Sequence, residues 1–229
     1  MKNKQVVVFP EQHSRKISEL LSMPTPMKGF DLPPLSVEDK LIRDYLFHRS
    51  KLESEILINF DIQHGTRKNI WTLDRGCWLD GQIITLVALQ FTLKQKDRIP
   101  DAKYPAWYLP TYFSQHILQH KVHKPNMLKS YFGTKRYTGK IESCERVYIP
   151  INDAGEHWYM CVVYMRQQVV YILDPYISRR SRTRPTQVKK VVEVLHDLLG
   201  IQYKNAYTKD FVVMGMNFVC LIFCVTYGF

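Results

Sequence analysis

Two residues of this sequence are spaced to do acid–base chemistry together. His157 opens the β-rich run His157-Trp-Tyr-Met-Cys-Val-Val-Tyr164, and Asp174 closes the next run, Gln168-Val-Val-Tyr-Ile-Leu173. A short turn near Arg166 makes the two runs an antiparallel hairpin. With the turn centred between Met165 and Arg166, His157 and Asp174 stand directly opposite each other, their Cβ atoms about 4.5–5.5 Å apart. A carboxylate there accepts a hydrogen bond from one imidazole nitrogen, fixes the tautomer and leaves the other nitrogen to serve as a base. Register decides the matter, because a slip of one residue sends Asp174 to the other face of the sheet. Taken alone, such residues more often mean a surface histidine and a strand-ending Asp-Pro turn.

A base needs a nucleophile or an acid to work with. The chain holds five cysteines, Cys77, Cys144, Cys161, Cys220 and Cys224, odd in number and without a CxxC pair. That pattern argues against a disulfide scaffold or a structural zinc and for a reducing compartment, nuclear or cytoplasmic. Cys161 falls in the middle of a strand and reads as a small buried apolar residue. His116, His120 and His123 could share a helix face, but no carboxylate or thiol stands at ligand spacing, so no metal is expected. No cofactor is expected either.

The elements that must position these groups follow from pattern. The chain has 229 residues, of which 45% are hydrophobic, enough to bury a core and to exclude disorder throughout. Its net charge of +11 favours acidic partners. Residues 1–35 read as a poorly ordered arm broken by Pro24, Pro26, Pro33 and Pro34. Its apolar run Val6–Phe9 is too short for a secretory signal. Ser36-Val-Glu-Asp39 predicts a capped helix with Leu41, Ile42, Tyr45 and Leu46 on its apolar face. A strand is expected around Glu55–Phe60. Asp80 is placed to cap a helix burying Ile83, Ile84, Val87, Ala88 and Phe91, and another helix is expected over Thr111–His120. Three strands follow, Arg146–Ile151 and the two of the hairpin. A last helix starts at Pro185-Thr186, turns Val188, Val191, Val192, Leu195, Leu198 and Leu199 inward, and stops at Gly200. Helices, a strand meander and a helix make the class α+β. The basic run Ser178–Arg184 with Lys189 and Lys190 reads as a solvated loop and helix start, or as a nuclear-localisation or acidic-partner patch. Residues 211–229 carry no charge and read as a separate apolar tail.

Four words in order give this pattern a likeness: Trp-Leu-Asp-Gly-Gln-Ile-Ile (78–84), Val-Tyr-Ile-Pro-Ile (147–151), His157-Trp158 and Tyr-Ile-Leu-Asp-Pro-Tyr (171–176). Together the chain resembles the ubiquitin-like-protein proteases, the SUMO-deconjugating cysteine peptidases and their plant-expanded relatives. The likeness covers roughly residues 36–200. It implies a papain-like peptidase fold, a central mostly antiparallel sheet flanked by helices, within a domain spanning residues 36–210. It also implies that His157 is the general base and Asp174 the acid that orients it. Trp78 and Trp158 would line a narrow tunnel, where only a chain without side chains passes between two indole faces, hence a Gly-Gly tail. The implied partner is a ubiquitin-like modifier or its conjugates; a nucleic-acid partner is not expected. Asp80-Gly81 departs from the family's Asn-Asp at the tunnel entry.

The family's nucleophile sits in a Gln-x5-Cys-Gly word at the head of a helix, where the Gln donates to the oxyanion and the helix terminus lowers the thiol pKa. That word is missing. Cys220 has Met214 six places before it and Leu221 after it; Cys224 has Phe218 and Val225. Three readings of the tail stand: a degenerate catalytic segment with Cys220, or secondarily Cys224, as nucleophile, a membrane anchor of marginal length, or non-family sequence from Gly215 onward, such as read-through of a T-rich intron. The expected function is hydrolysis after a Gly-Gly tail, impaired by loss of the nucleophile segment. The alternative is a non-catalytic binding module for a ubiquitin-like modifier or another protein.

Overall fold

The computed structural model describes residues 34–60, 63–74, 76–98, 106–119, 144–155, 157–174, 182–203 and 212–216. The chain divides into two units, Met1–Arg43 and Asp44–Phe229. In the first, helix α1 (Val37–Leu46) opens on a capping pair: the Ser36 hydroxyl accepts from the Asp39 amide at 3.0 Å and donates to its carboxylate at 2.6 Å. The apolar residues Leu41 and Ile42 that the pattern would bury are exposed; in the second unit Tyr45 is exposed too, though its ring lies against Arg67, and Leu46 packs beside Phe47, Leu57 and Ile58. Periodicity fixed the helix but not its burial.

The second unit starts with the last turn of α1, held by Arg67. That side chain is wholly buried and donates to the carbonyls of Tyr45 and Leu46, to the latter at 2.9 Å. A cation at a helix C-terminus meets its free carbonyls and the negative end of its dipole. Arg67 also pairs with Glu55 at 2.8 Å, just before β1 (Ile56–Phe60). β1 forms an antiparallel ribbon with β2 (Gln63–Thr66), which leads into the short α2 (Arg67–Trp71) through a Thr66/Asn69 capping box. Neither β2 nor α2 carries a pattern strong enough to be foreseen.

Helix α3 (Gly81–Arg98) is capped as expected, the Gln82 amide donating to Asp80 Oδ1 at 2.7 Å. Its buried side is wider than one stripe, since Ile83, Ile84, Thr85, Leu86, Ala88 and Leu89 are all buried while Val87 and Phe91 are only half-buried. A five-stranded sheet follows in spatial order β3 (Ala106–Tyr108), β4 (Arg146–Asp153), β5 (His157–Tyr164), β6 (Val169–Leu173), β7 (Val212–Met216). The central pairings β4–β5 and β5–β6 are antiparallel; the two edge strands join in parallel. Helix α4 (Thr111–Leu118) turns Phe113, Ser114 and Ile117 inward, and Ser114 donates to the Pro150 carbonyl of β4 at 2.6 Å.

Helix α5 (Arg184–Tyr203) buries Val188, Val191, Val192, Leu195, Leu198 and Leu199, as its period requires. Each such side chain contributes roughly 1.5–3 kcal/mol relative to exposure. They share one core with Val147, Ile149, Ile151, Tyr159, Cys161 and Val163 from β4 and β5. The helix runs past Gly200 to Tyr203, because one glycine lowers helix propensity without ending the hydrogen-bond ladder. Val212–Met216, placed in the sequence reading at the start of an apolar tail, is the fifth strand of the sheet.

Candidate active site

The hairpin turn spans Met165–Gln168, longer than the sequence suggested, so Tyr164 pairs with Val169 and Met160 with Leu173. Continued one step, this register sets Asp174 opposite Tyr159, with His157 two residues farther along β5. The shift is by two positions, and side chains two apart share a face of the pleat. His157 and Asp174 therefore meet diagonally instead of directly, within reach of long side chains. The contact is made: His157 Nε2 and Asp174 Oδ1 lie 2.8 Å apart. With Nε2 on the carboxylate, any proton transfer to a reacting group would run through Nδ1.

Two further residues complete this edge of the sheet. Asp153, the last residue of β4, is the direct cross-strand partner of His157 and is buried. Arg184, the first residue of α5, is also buried, at 2% exposure. It forms an ion pair with Asp174 and lies 3.8 Å from Asp153 through Nε, its guanidinium 5.3 Å from the Tyr159 ring. Gln187, one turn on, donates to Asp153 and accepts from the Tyr159 hydroxyl at 2.7 Å. Arg184 is thus no part of a solvated basic patch, although Arg182 and Lys189 beside it are exposed. A sequence signal existed: a cation in a first helical turn opposes the helix dipole and needs a nearby anion. Burial pulls the His157 pKa below its usual value; the Arg184 charge lowers it further and Asp153 opposes.

Trp158 points to the opposite face of β5 from His157. It is half-buried, and its indole N–H donates to the Leu79 carbonyl at 2.8 Å. A Cβ on Gly81 would stand 3.3 Å from the Trp158 ring, so glycine lets the indole lie against the start of α3. Trp78, one residue before Leu79, is exposed. Both tryptophans thus belong to the junction of β5 and α3, one as its seal and the other at the surface.

Among the cysteines, Cys161 is buried as expected and burial pushes its pKa up; the buried Cys144 is pushed up to about 12. Both stay protonated thiols at neutral pH. Cys77 is exposed. Cys220 and Cys224 lie outside the described residues, as do His120, His123 and residues 178–181 of the basic run. Among the described residues no group of three His, Cys, Asp or Glu could hold a metal ion, and no helix is long and apolar enough to cross a membrane.

The arrangement is α+β, an antiparallel sheet centre with helices packed on it. Residues 109–219 match the model of the Ulp1 protease family, C-terminal catalytic domain. The fold matches the C-terminal Ulp1 protease domain solved in complex with Smt3, the yeast ortholog of SUMO, with TM-score 0.56 and 18% identity over 82% of this chain and 77% of that one. It matches the SUMO protease Ulp1 with its catalytic cysteine oxidised to a sulfenic acid at TM-score 0.54, again 18% identical, over 81% and 75%. The Chaetomium thermophilum Ulp1-like SUMO protease catalytic domain is similar at TM-score 0.51 and 18% identity, over 81% and 70%. No curated protein matches. Over residues 109–219 the chain is thus similar to the Ulp1 catalytic domain, and it shares the fold of the solved Ulp1 structures. The family match runs on to residue 219, past Gly215, the point at which one of the three readings of the tail begins non-family sequence.

Proposed function

We propose that this domain acts on the Gly-Gly tail of a ubiquitin-like modifier, with SUMO the first candidate, and that the present polypeptide turns substrate over poorly. The observation that carries the reading is the 2.8 Å contact between His157 Nε2 and Asp174 Oδ1 at the sheet edge. In the reaction a thiol gives its proton to His157 Nδ1 and the thiolate attacks the carbonyl carbon of the second glycine. His157 then protonates the leaving amine, and water releases the acyl group. Asp174 holds the imidazole throughout. Trp158, sealed against Leu79 and Gly81, and the exposed Trp78 are the side chains assigned to the glycine tail.

Topology supports Cys220 as the thiol. Because β7 runs parallel to β6, with Met216 beside Leu173, the chain leaves β7 at the edge that carries Asp174. Cys220 follows four residues later, a span of at most about 14 Å. Cys220 has neither the preceding Gln nor the following Gly of the family word, the Gln being the residue that would donate to the oxyanion. That absence favours the second reading, a module that grips a modifier tail without cleaving it. A nuclear or cytoplasmic setting, where thiols stay reduced, suits either.

A SUMO probe with a C-terminal electrophile tests both. Slow covalent capture, abolished by Cys220→Ser and mapped to Cys220 by mass spectrometry, is the expected result, with negligible cleavage of SUMO-Gly-Gly substrates. Tight non-covalent binding without an adduct establishes the binding module. Neither adduct nor binding rejects the modifier-tail reading altogether.

A further inference from the structure

We propose that Arg184 is a positioning residue of the His157–Asp174 pair, clamping the Asp174 and Asp153 carboxylates from the first turn of α5. The inference rests on the reading of His157 as a base, and it concerns how that base is held and charged.

The geometry leaves Arg184 little other role. It is buried, at 2% exposure, and its guanidinium lies between two buried carboxylates, Asp153 at the end of β4 and Asp174 just after β6. Asp153 ends β4, Asp174 follows β6, and His157 starts β5 between them. One cation thus ties three strand ends and a helix start into a single cluster. An arginine suits this place because its rigid fork offers several donors in one plane and it does not lose its proton. With one Asp174 oxygen engaged by Arg184 and the other by His157, the carboxylate has one orientation, and Oδ1 stays aimed at Nε2.

The same charge sets the protonation of the base. The charged groups beside His157 include Asp153 from β4, Asp174 after β6 and Arg184 from α5, and the neutral Gln187 and Tyr159 are hydrogen-bonded into the same cluster through Asp153. Without Arg184 the two carboxylates would face His157 unopposed and favour the imidazolium, which cannot accept a thiol proton. With it, burial and the Arg184 charge together favour the neutral ring.

Histidine-labelled protein read by imidazole NMR tests this without any turnover, with His157 assigned from the signal lost in His157→Asn. Arg184→Gln is expected to raise the His157 titration midpoint, and Arg184→Lys, which keeps the charge, to leave it near the wild-type value. An unmoved or lowered midpoint in folded Arg184→Gln overturns the proposal. Should that variant not fold, Asp153→Asn serves: it leaves Arg184 to Asp174 alone, so the midpoint falls, and a rise or no change counts against the clamp. Failure of the probe reaction with a normal Arg184 effect would reject the proposed activity and leave the clamp standing; the reverse pattern would reject the clamp alone.

Discussion

A histidine kept largely neutral by burial and a nearby cation makes stability depend on acidity in a defined sense. The His157 pKa lies below its usual value near 6.5 in the folded chain, so the unfolded chain binds a proton there first. The stability tied to neutral His157 is present above about pH 6.5 and is lost as pH falls through the lower folded value. The melting temperature of the wild-type chain should therefore drop more between pH 7 and pH 5 than that of His157→Gln. Parallel curves would mean that His157 titrates as if exposed. The dyad itself was legible in the sequence because parity outlasts error: the turn was misjudged, yet by an even number, so both residues stayed on one face. Asp153 was not legible, and Arg184 only through its unusual place in a first helical turn. Asp153 emerges only when β4 is paired to β5, and Arg184 looked like its exposed neighbours until its burial removed it from them.

Elements here are joined by single buried polar contacts as well as by apolar packing. Ser114, fully buried in α4, is fixed to β4 by its bond to the Pro150 carbonyl. Ser114→Ala removes the donor and leaves a buried carbonyl short of a partner, which should cost about 1–3 kcal/mol, read from urea unfolding midpoints at constant slope. A loss below the error of that measurement would show that water replaces the hydroxyl. Strong periodicity made α3, α4, α5 and the three central strands visible in advance. It could not say where they stop or what faces them. Gly200 is passed over by α5, and the apolar stripe of α1 meets solvent at Leu41 and Ile42. Helix period is a property of the segment, whereas termination and burial are decided by neighbours far away in sequence.

For the molecule as a whole, the placement of β7 matters most, because it converts an apparent tail into part of the sheet. A chain ending at Asp210 would leave the backbone of β6 unpaired along the side that β7 now occupies. Such an edge invites association with other chains. The shortened chain should melt at a lower temperature and self-associate on size-exclusion chromatography, while an unchanged melting curve would show that β7 adds nothing to the fold. The parallel pairing also imposes an order of events. The hairpin of β5 and β6 closes across a four-residue turn, a local step that is fast. β7 can dock only after the whole α5 crossover has been laid across the sheet, and such non-local closure is slow. The histidine and its carboxylates come together with the early, local part of this sequence. β7 arrives with the late part, so the His157–Asp174 contact can form before the fifth strand is in the sheet.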